Sequence, residues 1–247
     1  MSSAPGPGPT SLDPPRLDNV RDVVRRALRD ALGLPCVILI ASMTGFGTVA
    51  RDSGFDLGLA LVATAGIWGL PGQLALVELY AAGSGLAAMV AASSLANARF
   101  LPMAVSFLPL LRAGLRRPVW MFPLVQLMSI NSWVAGLRAF PRIDVVYRAH
   151  YYVVFALTIM TAGLVGTTLG YFSLHAMPRP LALGLIFLNP CYFALLFAGT
   201  RSASAMLALA LGAVLGPATH LLSPDWGLLL AGFVGGTVAF LLLGRNG

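Results

Sequence analysis

Residues Leu57 to Ala82 read LGLALVATAGIWGLPGQLALVELYAA, a long apolar run interrupted at Gly69-Leu70-Pro71-Gly72-Gln73. Continued to Ala98, the run holds a single carboxylate, Glu78. No water reaches the hydrocarbon core of a bilayer, so irregular backbone at that depth survives only where protein or a watery cavity surrounds it. The GLPGQ break is therefore a candidate site inside a membrane. As a helix, Leu57 to Trp68 would rise only about 18 Å against a hydrocarbon core of about 30 Å, so a span needs both halves.

The rest of the chain agrees with a membrane reading. Hydrophobic residues make up 57% and charged residues 10%, with a mean hydropathy of +0.82, whereas soluble domains carry about a quarter charged residues. No long apolar run alternates with the period of a strand, which gives an all-α integral membrane protein. The net charge is +7 and all 16 basic residues are Arg. Lying between apolar segments, they report topology and contact with anionic lipid rather than nucleic-acid binding. Cys36 and Cys191 sit in apolar segments as small hydrophobes. His150, His175 and His220 are too scattered for a metal set, so neither metal nor cofactor is expected. HExxH, GxSxG and GxxxxGK[ST] motifs are all absent, which argues against an enzyme or a nucleotide-driven pump. Gly45, Gly47 and Ala50 match GxGxxA by spacing, but inside an apolar helix they read as packing.

Along the chain, residues 1–16 are Pro-rich and expected to be disordered. Residues 17–30 form an expected interfacial amphipathic helix, with Leu17, Val20, Val24, Ala27, Leu28 and Ala31 on one face and Arg21, Arg25 and Arg29 on another. Residues 31–247 form the membrane domain. Its apolar segments run Leu32–Ala50, Leu57–Ala82, Leu86–Leu111, Pro118–Leu137, Tyr151–Leu174, Leu181–Ala198, Ala203–Leu222 and Trp226–Leu243. That predicts seven to eight transmembrane or re-entrant helices, some of them broken. Arg-rich loops face the cytoplasm, which places the N-terminal helix inside. Arg112, Arg116 and Arg117 flank one side of the fourth segment and Arg138, Arg142 and Arg148 the other. Either that segment or the GLPGQ segment is therefore expected to be re-entrant. Gly166 with Gly170, Gly212 with Gly216 and Gly232 with Gly236 are pairs that let helices approach closely.

Four stretches occur in the order seen in one family: GFGTVARDSGF at 45–55, WGLPGQLAL at 68–76, LANARFL at 95–101 and LALGLIFLNPCYFALL at 181–196. With them the chain resembles the AzlC family, the large subunit of branched-chain amino acid exporters, over about residues 28–243. Family members usually carry an AGSAQF-like break where this chain has Gly69 to Leu74, which keeps the Gln and adds a Pro. NLRH of the family corresponds to Asn97, Ala98, Arg99 and Phe100, and an acidic TDE-like motif to Ile130, Asn131 and Ser132. The resemblance implies a bacterial inner-membrane, multi-pass permease exporting branched-chain or similar apolar amino acids. Proton coupling and a small hydrophobic AzlD-like subunit are expected with it. The rival expectation is a non-transporting structural subunit, since the acidic family position is missing.

Among the residues themselves, Gln73 with Pro71 and Gly72 is the first candidate for substrate binding. A half-helix starting there would point its positive end at an amino acid carboxylate; the alternative is that Gln73 only caps broken backbone. Asn97, with Ser94 three residues before it, extends a polar path. Asn189 beside Pro190 repeats the motif of an amide next to Pro, the pattern an inverted repeat would leave. Glu78 either carries a proton or pairs with Arg99 on the following segment, or both side chains reach the membrane surface.

Overall fold

The computed structural model describes residues 17–115, 117–173, 178–198, 203–222 and 227–243. The expected tail at 1–16, Arg116 and His175 lie outside them. All the elements described are helical. The chain divides into two compact units, Met1–Ile186 and Phe187–Gly247.

In the first unit two apolar helices are long enough to cross a membrane: α2 (Leu34–Asp52) and the helix ending at Phe172, here α9 (Arg148–Phe172), preceded by a 3-10 turn at Val145–Tyr147. They run side by side in the same direction. Their closeness depends on glycine. A Cβ on Gly166 would lie 2.6 Å from the Ile40 carbonyl oxygen, and Cβ atoms on Gly47 and Gly170 would collide with the carbonyls of Thr167 and Thr44. Small residues allow this backbone approach where lipid supplies no hydrophobic drive to hold helices together. Gly45 likewise abuts Ala182 and Ile186. The GxGxxA spacing is helix packing.

The other segments of this unit do not simply cross. The GLPGQ segment folds into α3 (Leu57–Ile67) and α4 (Leu70–Ala81). Phe55, just before α3, meets the ring of Tyr80 at the end of α4 edge-on, 4.7 Å between centroids. Its carbonyl also accepts the Tyr171 hydroxyl at 3.1 Å, at the C-terminal end of α9. This hairpin therefore leaves and returns at the far end of α2. Next, α5 (Leu86–Asn97) and α6 (Phe100–Arg112) travel to the opposite end, bent by 55° at Ala98-Arg99. In a continuous helix the ring of Pro102 would strike the carbonyl of Ala98, so the chain restarts there with Pro in its first turn.

The fourth segment is a second hairpin. After a 3-10 turn at Pro118–Trp120 it forms α7 (Met121–Gln126), then α8 (Ile130–Ala139), whose start is fixed by a capping box between Ser129 and Ser132. Gly114 abuts the Val145 carbonyl, so residues 115–144 depart from and return to the end where α1 sits. Of the two segments expected to compete for a re-entrant form, both return to the end they left. The same geometry gathers Arg112 and Arg117 with Arg138, Arg142 and Arg148 at one end.

The N-terminal helix, α1 (Val20–Ala31), starts at Asn19, whose side chain accepts the Arg21 N–H at 3.0 Å. It buries Val23, Ala27 and Ala31 against α9, while Val20 and Leu28 stay exposed. The expected apolar face is corrected by about one position, because docking on α9 selects it. Tyr151 of α9 donates to the Asp30 carboxylate at 2.9 Å, and Arg26 donates to the same oxygen at 2.8 Å. This bond to Asp30 holds the Arg26 proton more tightly than an isolated guanidinium would. Leu17 adds two backbone bonds, donating to Arg142 O at 2.9 Å and accepting from Asp144 N at 3.2 Å.

Val37, Val62, Leu86, Leu101, Val105 and Phe122 are exposed. So much large apolar surface suits lipid and not water, and the chain is a membrane protein.

The remaining helices are α10 (Arg179–Ala198), α11 (Ala203–Leu222) and α12 (Gly227–Leu243). Asn189-Pro190 lies inside α10. Within the second unit α11 packs on α12 where Gly235 faces Leu211 and Gly212. A Cβ on Gly212, Gly216 or Gly236 would meet nothing, whereas Gly166 and Gly170 make a close approach; the surroundings of Gly232 lie outside what is described.

Candidate functional site

A helix end leaves its last carbonyls without intrahelical partners. At the end of α3, side-chain amides take them up. Asn97 donates to Ile67 O at 3.2 Å, and Gln126 at the tip of the second hairpin donates to Ala65 O at 3.1 Å and Gly66 O at 2.7 Å. Gln73 adds a bond to Ala63 O at 3.3 Å. Three segments thus converge on one broken helix end, and the two hairpin tips touch through Gln126.

Between α3 and α4 the chain turns through Trp68, which adopts φ 47°, the left-handed region that a bulky side chain rarely occupies. Its ring is held against Gly163 of α9, where a Cβ would lie 3.0 Å from it. Gly69 then precedes α4 without a side-chain cap, and Pro71 occupies the first turn, where its missing N–H costs nothing. Gly72 lies against the Asn97 amide, 2.7 Å from where its Cβ would be, and its carbonyl accepts the Ser93 hydroxyl at 3.0 Å. Ser93 thus takes the place expected of Ser94, which is exposed.

Each amide that caps α3 spends its nitrogen and leaves its oxygen. Six buried side-chain polar atoms among the described residues have no hydrogen-bond partner: Trp68 Nε1, Gln73 Oε1, Asn97 Oδ1, Arg99 Nε, Asn131 Oδ1 and Asn189 Oδ1. Five belong to the three breaks at 68–69, 98–99 and 127–129. Unmade bonds of this kind cost about 1–3 kcal/mol each, and they mark places where a ligand, water or ion completes the set. Acceptors come from Gln73 and Asn97, and donors from Trp68 and Arg99, while the N-terminus of α4 adds partial positive charge.

Gln73, Gly72, Pro71 and Asn97 are brought together. Glu78 and Arg99 are not paired: the salt bridge among the described residues is Arg26–Asp30. Glu78 is exposed in the last turn of α4, and Arg99 is half-buried with its guanidinium over the Phe100 ring, 5.4 Å from the centroid. Of the three alternatives for Glu78, the pair with Arg99 is not formed, because α4 carries Glu78 towards the chain end of the hairpin while Arg99 sits at the break. Asn189 belongs to the second unit. Asn131 escaped the sequence reading, which treated it only as a lost carboxylate. Its place two residues after the Ser129 cap, in the first turn of α8, is the signal that marked it.

A family model described as AzlC protein matches residues 35–177, over half of the chain, while no curated protein and no solved structure matches. The match takes in both hairpins, the bent α5–α6 pair and α9. It ends before Asn189, so the resemblance seen at 181–196 lies beyond it. With its membrane helices and these breaks, the chain belongs to the AzlC family.

Proposed function

We propose that the chain is the large subunit of an exporter for branched-chain or similar apolar amino acids, binding its substrate at the α3–α4 break. The family is associated with branched-chain amino acid transport and with transporters rather than enzymes. One observation carries the site: the unpartnered oxygens of Gln73 and Asn97 stand at a half-helix N-terminus, and unpartnered donors belong to Trp68 and Arg99 in the adjoining chain breaks. A zwitterion offers the complement, an ammonium for the amide oxygens and a carboxylate for the N–H groups. Buried Ala63, Leu70 and Val77 supply an apolar lining for an aliphatic side chain. Gln73 is fully enclosed, so the arrangement corresponds to an occluded state and access requires the hairpin tips to part.

Full enclosure is also what a structural subunit with a sealed break would show. Transport is the better reading because a sealed structural break gains nothing from leaving these bonds unmade.

The membrane arrangement we infer has eight embedded segments: α2, the hairpin α3–α4, the bent α5–α6, the hairpin α7–α8, α9, α10, α11 and α12. One hairpin enters from each side, the signature of an inverted repeat. The end holding Arg25, Arg29, Arg112, Arg138, Arg142 and Arg148 faces the cytoplasm of a bacterial inner membrane. A small AzlD-like subunit, with which the family generally works, would cover exposed faces such as Leu86, Val90 and Leu101. In cells loaded with dipeptides of Leu, Ile, Val and Met, co-expression with a four-span partner is expected to raise external amino acid well above the chain alone. Full efflux from the chain alone in liposomes would remove the partner; no efflux in any combination would remove the transport reading.

Proton coupling in this scheme rests on Glu78, the single acidic residue between Asp56 and Asp144. Glu78→Gln is expected to flatten the pH dependence of efflux while leaving expression at the parental level. An unchanged pH profile would take the proton away from Glu78.

A further inference from the structure

At the end of the first unit that holds α1, a cleft of about 420 Å³ opens between α1 and the corner where α8 ends. Arg25, Arg26 and Arg29 line one wall, Arg138 and Arg142 the other, and Asp22 is the acid among them. Arg26 is engaged by Asp30, and no carboxylate among the described residues pairs with the other four guanidiniums. Four like charges facing one cleft repel each other, and an anion removes that cost. The walls are fixed before anything binds: Leu17 is bonded to Arg142 and Asp144, and Asp30 is held by Tyr151. None of these residues belongs to the broken-helix site.

The geometry assigns this cleft as a binding site for a phosphate-bearing anion, with the headgroup of an anionic membrane lipid as its source. Guanidinium groups suit phosphate because they offer several N–H donors in a fixed planar fork. Lipid is favoured by the surroundings, since α1 exposes Leu28 beside Arg29, and the chain continues through exposed Leu32, Leu34 and Val37 towards the hydrocarbon. Basic pockets at the membrane surface hold anionic headgroups in this way.

Thermal unfolding of the full chain in detergent, titrated separately with phosphatidylglycerol, phosphatidylcholine and inorganic phosphate, tests the assignment. Phosphatidylglycerol is expected to raise the unfolding temperature and phosphatidylcholine to leave it unchanged. Arg29→Gln and Arg138→Gln should each weaken the phosphatidylglycerol response about fivefold, as loss of one surface charge near anionic lipid does. Asp22→Asn should strengthen it, which guards against variants that merely damage the fold. Stabilisation by inorganic phosphate that equals the lipid effect and falls with the same variants would keep the anion site and replace the lipid with free phosphate. An equal response in the Arg variants and the parent, or no response to either anion, overturns the site.

Discussion

A Gly170→Leu variant is expected to yield little or no folded protein. A Cβ at this position would collide with the Thr44 carbonyl and lie 2.7 Å from its carbon and 2.9 Å from Thr44 Cα. Backbone on both sides leaves no flexible side chain to move aside, so the helices must separate. Overpacking a core costs about 1–3 kcal/mol even where side chains can adjust, and here the α2–α9 contact that organises the first unit is lost. Gly184→Leu is the control, since a Cβ on Gly184 meets nothing within reach. Size-exclusion profiles of the two detergent-extracted variants should differ sharply, with Gly184→Leu close to the parent. A monodisperse Gly170→Leu peak of parental height would mean that α2 and α9 do not pack through these glycines.

Much of this architecture was legible because breaks and charges have local causes. Pro71 and Gly72 mark the end of α3 whatever lies around them, and the Arg clusters on both sides of the fourth segment already conflicted with a simple span. Pro102 carried an equally local signal for the bend at Ala98-Arg99, one that an unbroken apolar run concealed. Other features were set at a distance. Trp68 takes a left-handed conformation because Gly163, far along the chain, accepts its ring. Valine lies on two faces of α1, and docking on α9 together with the Tyr151–Asp30 bond decides that Val23 rather than Val20 is buried. Asn97 was read for its polarity, but its bond to the end of α3 depends on α5 returning beside α4. Pairing of Glu78 with Arg99 stayed one of three alternatives along the sequence because the direction in which α4 runs could not be read there.

Gln73→Ala is expected to abolish export while the protein still folds. Removing the side chain loses one hydrogen bond to Ala63 O, worth about 1 kcal/mol, and the fold retains Asn97 and Gln126 on the end of α3. What disappears is an enclosed acceptor at the first turn of α4, which leaves Asn97 Oδ1 as the unpartnered amide oxygen of that break. A loss of at least tenfold, or ~1.4 kcal/mol, follows if that oxygen binds the substrate ammonium. The most direct measurement is the initial rate of leucine counterflow into proteoliposomes holding equal amounts of folded parent or Gln73→Ala protein, each with the same small partner. The variant should show background counterflow beside a robust parental rate; counterflow at the parental rate would contradict a substrate site at the α3–α4 break.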